Sequence, residues 1–185
     1  MVMPDLARRH TVPELLQRPP DGRRHELLSG ELVVTPAPGQ RHQLVVERLH
    51  DALRDYLTPL GLRRGLFGVA ADISWDAETL VQPDLFVVSP EEVTGDWASC
   101  RTLFLAVEVV SPASARTDRV LKRRRYQEAG VSSYWIVDPE ARLVEIWHPA
   151  DLRPEIATEH LRWQVTEHAT ELLLPLGPLF DDLPE

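Results

Sequence analysis

The chain has little with which to staple or anchor itself. It holds one cysteine, Cys100, so no intramolecular disulfide framework and no cysteine-built zinc cage is available. That usage fits a reducing cytoplasm. No apolar run approaches the length of a bilayer-spanning helix, and the best, LFLAVEVV, is short and carries a charge. The opening MVMPDLARRH lacks the apolar core of a signal peptide. Positive charge is also scarce: 20 Lys plus Arg face 29 Asp plus Glu, for a net charge of −9. Such a balance argues against a protein that coats DNA by bulk electrostatics, but not against one that grips a few phosphates locally. No Gly-x-Ser-x-Gly elbow, no His-Glu-x-x-His helix and no glycine-rich phosphate loop occurs, which removes three common catalytic classes.

Lysine is the scarcest charged residue. Of the 20 basic residues, Lys122 alone is lysine. Arginine cannot supply a compact, titratable ammonium. A lysine retained in so arginine-biased a chain therefore marks a candidate functional position, with chance survival as the other explanation.

What is present suits one folded unit. The 185 residues are 43% hydrophobic and 26% charged, a balance that builds one core over residues 1–185 and is too apolar for disorder. TVPELLQRPP predicts a short helix with Thr11 as N-cap, Pro13 in its first turn, Glu14 completing a capping box, and Pro19 and Pro20 ending it. RHELLSGELVV predicts a hairpin turning at Ser29-Gly30. Leu44, Val45, Leu49, Ala52, Leu53 and Tyr56 recur at helical spacing and predict an amphipathic helix over Gln40 to Leu57. Extended structure is expected from Arg64 to Trp75 and from Leu85 to Val88. Leu103 to Val110 reads as a central strand, apolar on both faces apart from Glu108. A helix of about three turns follows, capped by Gly130. Strands SSYWIVDP and ARLVEIWHP come next, then extended runs near Trp163 to Val165 and Thr170 to Leu174. Strand, helix, strand from Leu103 to Val137 predicts one parallel crossover, and the short turns elsewhere predict antiparallel pairing. The expected class is α/β (α+β mixed): a mixed β-sheet flanked by helices, with additional antiparallel strands.

Three residues carry the chemistry. Glu108 interrupts an apolar run, so its carboxyl must be protonated, paired with a cationic side chain or bound to a cation. Asp84, in Gln82-Pro83-Asp84, leads into an apolar strand; alone it reads equally as a turn residue. Together, two carboxylates on neighbouring strands can hold a hard cation such as Mg²⁺. Lys122 follows Glu108 by one loop and a helical turn, where its ammonium can reach such a site or instead pair with Asp118 four residues earlier. Arg119, Arg123 and Arg124 are candidate phosphate contacts or a solvated face. The five tryptophans read as core or interface before base-stacking platforms.

These residues and their surroundings resemble the PD-(D/E)XK nuclease superfamily and, within it, the Uma-type putative restriction endonuclease family. HELLSGELV, Gln40-Arg41-His42, QPDLFVV, the block AVEVVSPASARTDRVLKRRRYQEAGVSSYWIVDP and the closing strands carry the resemblance. It implies a restriction-endonuclease-like core and Mg²⁺- or Mn²⁺-assisted hydrolysis of DNA. It further implies Asp84, Glu108 and Glu26 as metal ligands and Lys122 as the catalytic lysine. The general superfamily pattern expects a lysine two residues after Glu108, where this chain has Val110; the Uma-type pattern draws it from the next helix, at Lys122. His42, Asp118, Tyr126 and Tyr134 match recurrent positions without an assigned role. Two expectations follow: a metal-dependent endonuclease acting as a homodimer, and, as the alternative, a catalytically weak or inactive nuclease fold serving as a dimeric interaction module.

Overall fold

A computed structural model describes residues 8–19, 21–69, 71–97 and 100–184. The expected helix-ending role of Pro20 and the reading of the first seven residues lie outside that description. Helix α1 (Val12–Leu16) starts after Thr11, whose amide donates to Glu14 Oε2 at 2.9 Å, the reciprocal half of a capping box. Strands β1 (Arg24–Leu28) and β2 (Glu31–Thr35) form the expected hairpin. Its turn residues Ser29 and Gly30 have φ of 52° and 78°, the left-handed pair that a two-residue hairpin loop requires. Helix α2 (Gln40–Leu57) has the predicted bounds and buries Val45, Val46, Leu49, Leu53 and Leu57 along one stripe, each worth about 1.5–3 kcal/mol of transfer.

The stretch from Arg64 to Trp75 is less regular than its composition suggests. A 3₁₀ turn at Arg63–Gly65 leads into β3 (Leu66–Phe67), and β4 (Ile73–Asp76) belongs to a different sheet. Strand β5 (Thr79–Val81) is too short to show a period and was not legible beforehand. Then come β6 (Leu85–Val88) and β7 (Leu103–Val109). The expected three-turn helix is split. Thr117–Lys122 is π-wound, with the Arg123 amide donating to Asp118 O five residues back, and only α3 (Arg123–Glu128) is α-helical. Asp118 and Lys122, four residues apart, both turn inward. Gly130, at φ 73°, ends α3, with Val131 N bonded to Tyr126 O and Gly130 N to Gln127 O, a Schellman cap. The chain closes through β8 (Tyr134–Asp138), β9 (Leu143–Trp147), β10 (Glu155–Ala157), β11 (His160–Trp163), β12 (Leu172–Pro175) and α4 (Gly177–Phe180).

Six strands form the main sheet in the order β10-β9-β8-β7-β6-β3. Only β7 and β8 pair in parallel, through the crossover that carries α3; all other neighbours are antiparallel. Residues of β7 and β8 divide between two cores, alternating from Leu105 onward, with a register irregularity between Leu103 and Leu105. Leu105, Val107, Val109, Trp135 and Val137 pack with α2 and the β11–β12 hairpin. Leu103, Ala106, Val110, Tyr134 and Ile136 pack on the opposite face with Tyr126 and residues of the four-stranded sheet β2-β1-β5-β4. Trp135, Trp147 and Trp163 are core residues, as expected of tryptophan. Among the described residues no helix is long and apolar enough to cross a membrane.

Candidate active site

Glu108 shares the parity of Ala106, so its side chain lies on the face of the main sheet that looks toward β1 and α3. Register brings Asp84 beside it. Leu85 pairs with Val107 and Phe86 with Ala106, which puts Asp84, one residue earlier, across from Glu108 on the same face. The Asp84 amide donates to Val107 O at 3.0 Å, and its carboxylate Oδ2 accepts from Val109 N at 2.8 Å, so the side chain continues the ladder where the strand ends. Glu26 comes from β1 and Lys122 from the π-wound turn. Glu26, Asp84, Glu108, Asp118 and Lys122 are 0%, 6%, 1%, 2% and 3% exposed, and all line one cavity of about 330 Å³. Its walls include the β2–α2 connection from Thr35 to Gly39 and the Ser111–Ser114 turn.

Two charge clusters share this cavity. Asp84 Oδ1 accepts from Arg24 at 2.7 Å, and Oδ2 accepts from His42 Nε2 at 2.9 Å. The Lys122 ammonium stands 2.8 Å from Glu26 Oε1, 3.0 Å from Glu108 Oε1 and 3.5 Å from Asp118 Oδ1. Tyr126 donates its hydroxyl to Glu108 Oε1 at 2.9 Å, and Tyr134 donates to Asp118 O at 3.2 Å. Four carboxylates thus meet two permanent cations, Arg24 and Lys122. The excess of negative charge leaves marks. Burial pushes the Glu108 carboxyl well above its usual range, more than Lys122 pulls it down, and the neighbouring acids add to the rise. Asp118 is raised for the same reason. Burial also raises Asp84, but the hydrogen bond from His42 and the charges of His42, Arg24 and Lys122 outweigh it and bring the group to about 2. Burial opposes the charge on Lys122, yet the Glu108, Glu26 and Asp118 carboxylates more than restore it, so the amine stays protonated. Among the buried polar atoms of the described residues that lack a hydrogen-bond partner are Glu26 Oε2, Asp118 Oδ1 and His42 Nδ1, all on residues that line this cavity.

The sequence-marked residues divide cleanly. Asp84, Glu108, Glu26, Lys122, His42 and Asp118 meet at the cavity, and Tyr126 and Tyr134 support them from behind. Val110 lies in the core on the Glu108 face, and the ammonium reaches Glu108 from the following helix. The three arginines considered as phosphate contacts are engaged elsewhere. Arg119 pairs with Asp138 at 2.7 Å and Glu145 at 2.6 Å, Arg123 lies over the Trp147 ring at 4.6 Å, and Arg124 pairs with Glu128 at 2.8 Å. Arg24 was overlooked. Its signal was available: two residues before Glu26 on one strand, it shares that residue's face.

Glu108 on a strand, Asp84 just before the neighbouring strand and a lysine from the following helical turn thus meet at one cavity of the mixed sheet. A model of the putative restriction endonuclease family Uma2 matches residues 12–176, and the chain belongs to that family. Its fold is similar to a crystal structure described as a putative nuclease belonging to DUF820 from Anabaena variabilis. That similarity has a TM-score of 0.78 and 20% sequence identity, covering 95% of this chain and 99% of that one. No curated protein matches the chain significantly.

Proposed function

We propose that this protein is a divalent-metal-dependent endonuclease that hydrolyses DNA phosphodiester bonds at the cavity described above. The observation that carries the reading is convergence. Glu26, Asp84, Glu108 and the chain's single lysine come from separate elements and line one cavity, with the ammonium in contact with two of the carboxylates.

The donor set fits a hard cation. Carboxylate oxygens are what Mg²⁺ and Mn²⁺ take; Glu26 Oε2 is buried without a partner, and the acids outnumber the permanent cations. Asp84 and Glu108 would hold the ion, supported by Glu26. No three acidic, histidine or cysteine side chains form a ready-made cage among the described residues. Mg²⁺ does not need one, because it retains several waters and commonly binds through one or two carboxylates. Once bound, the ion supplies Lewis acidity toward the scissile phosphate and lowers the pKa of its water.

The remaining work falls to side chains. Lys122 orients the attacking water and stabilises charge developing on a phosphoryl oxygen. Arg24 and His42 fix the Asp84 rotamer, and Tyr126 fixes Glu108. A C₂ homodimer, one site per strand, completes the reading; sedimentation showing only a 21.0 kDa species would refute that part. A cytoplasmic location accords with the lone cysteine.

The test is DNA cleavage with Mg²⁺ or Mn²⁺ against a chelator control. Glu108→Gln and Lys122→Met are each expected to lose at least about 100-fold in rate. A folded wild type that cuts no form of DNA with either ion overturns the proposal. A second reading, an inactive interaction module, has one observation in its favour: Arg24, His42 and Val109 N already satisfy Asp84. Calorimetry separates the two, since a module binds no Mg²⁺.

A further inference from the structure

We infer that Asp118 is the positioning residue for Lys122, the carboxylate that retains the ammonium when a divalent cation takes Glu108. The inference rests on the metal reading above. Three carboxylates surround Nζ, and they are not equivalent. Glu26 Oε1, at 2.8 Å, also accepts the Gln82 amide at 2.7 Å. Glu108 Oε1, at 3.0 Å, also accepts the Tyr126 hydroxyl at 2.9 Å. Asp118 Oδ1, at 3.5 Å, has no donor at all, although the residue is only 2% exposed. It is a buried acceptor waiting beside the one donor able to move to it.

Mobility and fixity are distributed to suit. Asp118 is tied down: its amide donates to Ser114 O at 3.0 Å, and its carbonyl accepts from Tyr134 at 3.2 Å. Lys122 carries its charge on a flexible four-carbon stem with three donors. A cation on Glu108 repels the ammonium and competes for the oxygen it holds. Closing the remaining distance to Asp118 keeps the charge beside the reaction centre and ends the competition. The spacing of four residues puts Asp118 and Lys122 on the same side of their helical turn.

A single lysine makes the idea directly observable. Lysine labelled with ¹⁵N gives one side-chain ammonium signal, that of Lys122. Mg²⁺ is titrated alone, without DNA, into the full chain. In wild type the Nζ signal moves and saturates with the calorimetric binding curve. In Asp118→Asn the movement is lost, and Mg²⁺ affinity falls about tenfold, the effect typical of removing a group that orients a site from outside it. Ser114→Ala, which removes the hydroxyl that Ser111 bonds in the turn holding the Asp118 amide and leaves the carboxylate in place, gives a smaller change in the same direction. Should Asp118→Asn fail to fold, wild type and Ser114→Ala carry the test. Mg²⁺ binding with an unmoved lysine signal, or an Asp118→Asn response equal to wild type, overturns this inference alone. A folded wild type that binds no Mg²⁺ overturns the metal reading and this inference together.

Discussion

Asp84 and Glu108 lie side by side and answer acid in opposite ways. Asp84, held at about 2 against an ordinary value of 3.8, stabilises the fold above the ordinary value. That contribution, on the order of 2 kcal/mol, drains away as pH falls toward 2. Glu108, raised above 4.5, takes its proton first in the folded state, so stability declines as pH rises from 4.5 through the raised value. Urea midpoints measured in chelator should therefore climb from pH 8 to about pH 5 and drop below about pH 4. Glu108→Gln should reduce the upper slope and leave the acid limb; an upper slope unchanged in that variant contradicts the assignment. Lys122→Met strips the ammonium from three buried carboxylates. A loss of about 3–5 kcal/mol is expected from urea unfolding at pH 7, as for any buried pair broken from one side. Lys122→Arg should not restore it, because a planar guanidinium does not fit a site built for a point charge.

At the scale of elements, two glycines do different work. Gly130 supplies a left-handed cap, and Ala there should cost about 1 kcal/mol. Gly65 lies against β6, where an added Cβ would stand 2.0 Å from the Val88 carbonyl oxygen. Backbone must shift to admit it, so Gly65→Ala should lower the melting temperature more than Gly130→Ala; the reverse order in thermal unfolding would show that the 3₁₀ turn gives way easily. Elements with a long, clean period were legible in advance, as α2 shows with its bounds. Those without one were not: β5 has three residues, and the stretch holding β3 and β4 signalled extended backbone but not that its halves join different sheets. The π-winding of Thr117–Lys122 also escaped notice, since a helical pattern does not say how tightly the turn is wound.

For the whole molecule, charge sets the mode of DNA contact that the proposed activity calls for. A net charge of −9 leaves few phosphate contacts to supply affinity, and the arginines of α3 and its preceding turn are committed to Asp138, Glu145, Trp147 and Glu128. Binding in Ca²⁺ should show a log K against log salt slope shallower than about −3, the sign of no more than a few released counterions. A slope near −6 or steeper would reveal a basic surface beyond the cavity.

Much of the site was written in the chain itself. A carboxylate inside an apolar run, a second one leading into the next strand, and a lone lysine among arginines each stand out because burying charge is costly and arginine cannot replace an ammonium. Which partner each found was decided only in three dimensions. Register set Asp84 beside Glu108, the crossover returned Lys122 to them, and the hairpin delivered Arg24 to Asp84 and Glu26 to Lys122. Local spacing dictates the face a side chain takes, whereas the contacts across that face join residues as far apart as Glu26 and Lys122 and exist only once the sheets close.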